Sequence, residues 1–270
     1  METAARDLLS STFETLPADK QARFVITPGG LLLSELPSGL SGRAGWNSVA
    51  SDFSLIQRAA EAVVRRVVSA RVLRLARGKA ASLTIGIDLH NSAEQHAELV
   101  AFIRIADGKI LRWTGKSYPT AAQEGSLIQV LDLESHCLRF EGERVLILGC
   151  HDLNMFSPRG WSNQVPGGYR RERCSAVRSI VSGFRPTVVL HHPHTTDSPR
   201  IWLQSWASLN LEFNSTLNDW ASGICFYRWE GVERGTLRKV AAATRCPTSS
   251  GPDLVARTRD GGTIALKMLK

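Results

Sequence analysis

Four successive apolar residues, Val145, Leu146, Ile147 and Leu148, run unbroken between Arg144 and Gly149. A stretch so short and so apolar predicts a strand, and a strand without a polar face needs cover on both sides. The fold that holds it must therefore be layered. Thr187 to Leu190 and Ser82 to Ile87 are further short strands of this kind. Between Asp52 and Arg77, the positions Leu55, Ile56, Ala59, Val63, Val67, Ala70 and Leu73 recur at three- and four-residue intervals without Pro or Gly, which predicts one helix. Asp107-Gly108, between apolar runs from Glu98 to Ile105 and from Lys109 to Trp113, predicts a hairpin. Arg23 to Thr27 and Leu31 to Leu36 read as strand, turn, strand about Pro28, Gly29 and Gly30. Leu127 to Leu133 reads as another strand, Arg170 to Ser182 as a helix, and residues 1 to 20 as holding one short helix. Strands outnumber helices and helices lie between some of them, so the expected class is layered α/β.

Composition narrows the function. With 43% hydrophobic and 21% charged residues in 270, disordered and collagen-like classes are excluded. No apolar run approaches the roughly 18 residues of a membrane span. The start, Met1 to Asp7, lacks the basic and apolar segments of a signal peptide, so a soluble, cytoplasmic protein is expected. No internal repeat or long linker is found, and the array reads as a single domain. The formal charge of +8 favours anionic partners in principle, but the Lys and Arg are dispersed and no nucleic-acid motif is present. Nucleic acid and membrane are therefore not expected partners. Cys137, Cys150, Cys174, Cys225 and Cys246 are odd in number and contain no C-x-x-C pair, which predicts neither a disulfide framework nor a thiolate zinc site.

The chemistry gathers where strands end. Asp88 and His90 follow one strand, Cys150, His151 and Asp152 another, and His191, His192, His194 and Asp197 a third. Sites in α/β sheets collect at such ends. One reading is metal-based: Asp88, His90, His151, Asp152, His192 and His194 are similar to the D-x-H, GNHD and GHxH blocks of calcineurin-like metallophosphoesterases, whose ligands suit hydrolytic metals. The intervening GDxxD block has no counterpart closer than Asp132-Leu-Glu134.

A second reading starts from Cys150 as a nucleophile at a strand-to-helix turn, where amide groups depress a thiol pKa. Upstream, Gly108 to Pro119 contains Lys116 and is followed by Glu124; Lys116 lies 34 residues before Cys150, and Glu124 eight after Lys116. With the strand ending in Cys150-His151-Asp152 and with Pro158 and Arg159 beyond it, this order and spacing over roughly residues 82 to 160 resembles the nitrilase (carbon-nitrogen hydrolase) superfamily. Leu32-Leu-Ser-Glu35-Leu-Pro is similar to the block that supplies that family's base. The resemblance implies a single nitrilase-like α-β-β-α sandwich over residues 1–229 with residues 230–270 as a C-terminal extension, and a homo-oligomer. It also implies hydrolysis of a non-peptide carbon-nitrogen bond in a small-molecule amide or nitrile, the amide ahead of the nitrile, without metal or cofactor. Cys150 would attack, Glu35 would take its proton and later activate water, and Lys116 would hold the oxyanion with Glu124 beside it. The His151 amide would complete the oxyanion hole, and His191, His192 and His194 would line the substrate pocket. A phosphoesterase and a catalytically silent nitrilase-like binding module remain open beside this reading.

Overall fold

The computed structural model describes residues 2–17, 19, 21–157, 166–194 and 199–222, and the backbone of short strands at 228–229, 232–233, 252–257 and 263–267. Helix α1 (Glu2–Thr15) is followed by β1 (Ala22–Ile26), β2 (Leu32–Glu35), α2 (Ala50–Val67), α3 (Ala70–Ala76), β3 (Ala80–His90), β4 (His96–Arg104) and β5 (Ile110–Gly115). Next come β6 (Cys137–Phe140), β7 (Glu143–Leu148), α4 (Tyr169–Phe184), β8 (Val188–His191), α5 (Pro199–Phe213) and β9 (Asp219–Ser222). Beyond these, β10 (Arg228–Trp229) pairs with β11 (Val232–Glu233), and β12 (Pro252–Arg257) with β13 (Thr263–Lys267).

Two larger sheets carry the fold. The first has the order β1-β3-β4-β5 with β2 also on β3, and the second the order β6-β7-β8-β9. Alternation along the strands sorts their residues into three apolar layers. Leu83, Ile85, Ile87 and Leu89 of β3 and Leu99, Ala101 and Ile103 of β4 pack with Phe13 of α1, Ile56, Val63 and Val67 of α2 and Val72 of α3. Val100 and Phe102 point the other way, meeting Val145 and Ile147 of β7 and Val188 and Leu190 of β8 between the sheets. Leu146, Leu148 and Val189 pack outward on Val177 and Val181 of α4 and on Trp206, Leu209 and Phe213 of α5. The chain is thus an α-β-β-α sandwich, and the unbroken apolar run of β7 is explained by having a layer on each face.

Two local expectations change. The helix predicted from Asp52 to Arg77 is broken after Val67, and the Ser69 hydroxyl caps the second piece by accepting from the Val72 amide at 3.5 Å. The segment from Leu127 to Leu133 forms no ladder; it lies beside β4 and β5 through single bonds, Ile128 N–H to His96 O and Val130 N–H to Lys116 O. The strand, turn, strand expected around Pro28, Gly29 and Gly30 is present, and both strands run parallel to β3, β1 along its first half and β2 along its second. They are one edge strand interrupted by a loop. The loop lies over Gly86, where a Cβ would come within 2.4 Å of the Pro28 carbonyl oxygen.

Candidate active site

The alternation that places Val100 and Phe102 between the sheets continues to Glu98, and the same face of β3 ends at Asp88. Asp88 and Glu98 stand directly opposite in the antiparallel register. Lys116, just past β5, comes next in the row: its amide donates to the Glu98 carbonyl at 2.8 Å, and its Nζ donates to Glu98 Oε1 at 2.8 Å. Lys116 is 1% exposed, so this is an interior ion pair.

The second sheet supplies the other side of the site. Cys150 follows β7 by one glycine and is 3% exposed. The His194 amide donates to its Sγ at 3.3 Å. The His194 ring lies over the carboxylate row, with Nε2 at 2.7 and 2.8 Å from the two Asp88 oxygens and Nδ1 at 3.4 Å from Glu98 Oε2. Two facing carboxylates repel unless a cation lies between them. His194 and Lys116 are those cations.

The electrostatics follow from this row. Burial alone would raise the Glu98 pKa, but Lys116, His96 and His194 outweigh it and hold the carboxylate well below its usual range. Burial disfavours a charged His194, yet Asp88, Cys150 and Glu98 push its pKa up to about 11. Burial likewise opposes a Cys150 thiolate, and hydrogen bonding from His151 and His194 overcomes it, drawing the thiol down to about 6. Cys137 and Cys174 are pushed the other way by burial, up to about 12 and about 11. Among the cysteines of the described residues only Cys150 is prepared as a thiolate; Cys225 and Cys246 lie outside them.

Asp152 fixes the two halves together. It is fully buried, and its carboxylate accepts from the amides of Ser117 at 3.1 Å, Tyr118 at 3.0 Å and Gly149 at 3.0 Å. It thereby ties the turn that carries Cys150 to the segment that carries Lys116. Gly149 packs against that segment so closely that a Cβ would lie 2.9 Å from Lys116 Cα.

Of the residues expected from the sequence, Cys150, Lys116, His151 and His194 meet at this site. Glu35 and Glu124 do not join them. Along β2, Leu32 enters the core while Leu33 and Glu35 take the exposed side, and Glu35 ends opposite His90. Glu124 pairs with Arg170 at 2.5 Å and its side chain is 40% exposed. The carboxylate beside Lys116 is that of Glu98 instead. His191 and His192 are buried and bonded to main chain. His191 Nε2–H donates to the Cys150 carbonyl at 2.9 Å and Nδ1 accepts from Ser222 Oγ at 3.0 Å. His192 Nδ1–H donates to the Thr27 carbonyl at 2.8 Å. Burial pushes both down to about 3, so both rings are neutral. Asp197 lies outside the described residues.

The alternative metal set is not assembled. Asp152 is spent on backbone amides and His192 on Thr27, and no group of three or more His, Cys, Asp or Glu side chains among the described residues is arranged to hold an ion. No helix among them is long and apolar enough to cross a membrane.

No protein-family model matches the chain, and no curated protein does. Solved structures do. One is a mutant amidase from Nesterenkonia sp. AN1 with the acetamide moiety of fluoroacetamide added to its active-site cysteine, 12% identical, covering 83% of this chain and 71% of that chain at a TM-score of 0.49. The same mutant of that amidase, with acrylamide added at the active-site cysteine, is 13% identical over 81% of this chain and 70% of that chain, with a TM-score of 0.47. The glutamine-dependent NAD+ synthetase from Acinetobacter baumannii is 12% identical, covering 81% of this chain but 34% of its own, with a TM-score of 0.45. The Nesterenkonia amidase is from the nitrilase superfamily.

Proposed function

We propose that this chain is a divergent nitrilase-like hydrolase that cleaves the carbon-nitrogen bond of a small amide through a thioester on Cys150. The observation that carries the reading is the preparation of Cys150 as a thiolate, at about 6, in the same interior cluster as the cationic side chain of Lys116. A thiolate attacks an amide carbonyl, and the charge that develops on oxygen needs a fixed positive donor. Lys116 supplies that donor, and the amide of His151 follows the nucleophile in the chain as a second. Glu98 is ion-paired to Lys116, and Asp152 ties the Lys116 segment to the turn that carries Cys150.

The test is direct. A panel of short aliphatic and aromatic amides is incubated with the protein while ammonia release and intact mass are followed. Turnover with an acyl adduct mapping to Cys150, both abolished by Cys150→Ala, is the expected result. If no amide is turned over and iodoacetamide labels Cys150 no faster than Cys137 or Cys174, the reading is wrong.

A further inference from the structure

An amide is a poor substrate for a thiolate alone, because the amine leaves only when it carries a proton. A residue must deliver that proton and later accept one from water. Glu35 is exposed at the end of β2. We propose that His194, held by Asp88, is the acid and base of the Cys150 reaction, an inference that rests on the amide-hydrolase reading above.

Three independent features place it. First, the His194 amide is bonded to Cys150 Sγ, so the ring is carried on the residue that touches the nucleophile. Second, Nε2 is committed to the Asp88 carboxylate, which leaves Nδ1 as the exchanging nitrogen, 3.4 Å from Glu98 Oε2. That oxygen is buried and makes no hydrogen bond, so the Nδ1 side of the ring faces a buried negative charge. Third, the chain clears space for the ring. A Cβ at Gly29 would lie 2.9 Å from His194 Cε1, and one at Gly30 would lie 2.7 Å from Asp88 Oδ2 and 3.1 Å from His194 Cδ2. Gly30 also has φ of +63°, which a side chain rarely adopts. The loop that interrupts the edge strand is thus shaped around the histidine and its carboxylate.

The groups facing His194 come from every packed element: Asp88 and His90 of β3, Glu98 and His96 of β4, Lys116 after β5, and Cys150 and His151 after β7. His192 lies two residues away in the chain and is neutral. The ring therefore rests as an imidazolium paired with the thiolate, matching its pKa of about 11.

The reaction balances as follows. The Cys150 thiolate bonds to the amide carbon, and the carbonyl electron pair moves to oxygen beside Lys116. As the oxygen pair returns, the carbon-nitrogen bond breaks and the nitrogen takes the His194 proton, leaving a thioester, the free amine and a neutral imidazole. Water then bonds to the thioester carbon while His194 takes its proton. Collapse expels the thiolate and releases the acid, restoring both groups. Asp88 acts as a positioning residue that keeps Nδ1 aimed and the ring cationic.

The experiment has two readouts on His194→Gln, His194→Asn and Asp88→Asn, each checked by urea denaturation to be fully folded under the assay conditions. The first is the pH dependence of Cys150 alkylation by iodoacetamide, which needs no substrate. The midpoint, near pH 6 in the natural protein, should rise by at least one unit in both His194 variants and by less in Asp88→Asn. An unmoved midpoint overturns the proposal. The second compares an amide with a p-nitrophenyl ester, whose leaving group departs without a proton. The His194 variants should lose 10²- to 10⁴-fold in amide turnover, while the p-nitrophenolate burst stays within about tenfold. Equal losses on both substrates would make His194 structural only. If the natural protein gives neither amide turnover nor burst, the amide-hydrolase reading has failed and the catalytic role falls with it. A moved alkylation midpoint would then show the ion pair alone.

Discussion

Asp88 and Glu98 face each other across β3 and β4, two carboxylates in register, and the cations that make this tolerable come from outside those strands. Lys116 neutralises one and His194 bridges both. Removing a member leaves an uncompensated interior charge, which costs about 3–5 kcal/mol. Lys116→Met should therefore lower the unfolding free energy by that order in urea denaturation. Lys116→Met with Glu98→Gln should recover most of the loss, since the stranded charge is gone. If the double variant is no more stable than the single, the pair does not carry this energy.

Asp152 should behave as a clamp rather than as a reacting group. Asp152→Ala leaves the amides of Ser117, Tyr118 and Gly149 without their acceptor. Each buried orphan costs roughly 1–3 kcal/mol. A loss on the order of 3 kcal/mol is expected, with the selective alkylation of Cys150 over Cys137 and Cys174 reduced as well. Selectivity retained in full would show that the clamp does not position the thiol.

The loop around His194 makes a prediction about glycine. Gly29→Ala and Gly30→Ala insert a methyl into space held by the His192 carbonyl, the His194 ring and the Asp88 carboxylate. Both variants should fold with a stability loss of roughly 1–3 kcal/mol. Both should also shift the alkylation midpoint of Cys150 upward. Gly39→Ala, at φ of +84° but with nothing within 4 Å, is the control for backbone strain without contact. Equal shifts in all three would refute the contact argument.

Alkaline stability reports the same histidine. The folded pKa of His194, about 11, lies above the ordinary 6.5, so its contribution is complete below pH 6.5 and is lost as pH rises through 11. Cys150 has the opposite sign: its folded value of about 6 lies below the ordinary 9.0, so its contribution is complete above pH 9 and lost as pH falls through 6. Between about pH 6.5 and 9 the two slopes oppose each other, and above pH 9 the histidine acts alone. The stability advantage of the natural protein over His194→Gln should accordingly shrink between pH 9 and 11 in urea titrations. An advantage that stays constant there would contradict the raised value.

Much of this was readable in the sequence. Short runs such as Val145 to Leu148 declare layers on both faces, and order plus spacing picked out Lys116 and Cys150. Glu98 was missed although a local signal existed. Counting outward from the Asp107-Gly108 turn leads, with one irregularity between Phe102 and Ile103, to Glu98 beside Lys116. Asp88 and His194 have no such signal, because they meet only when the second sheet is laid on the first, 106 residues apart in the chain. Glu35 misled because a strand-end carboxylate looks the same in sequence whether its face is covered or open. The break at Ser69 was hidden by apolar periodicity that continues through it on both sides.

The bond from His191 to the Cys150 carbonyl has a consequence for the next peptide group. A trans peptide is planar, with its carbonyl and its N–H on opposite edges. Holding the residue 150 oxygen toward His191 therefore turns the residue 151 N–H to the far edge, away from the second sheet's outer layer. The neutral imidazole of His191, itself steadied by Ser222 on the last strand of that sheet, sets the rotation of the peptide plane just after Cys150. The aim of one amide hydrogen is in this way written two strands from where it acts.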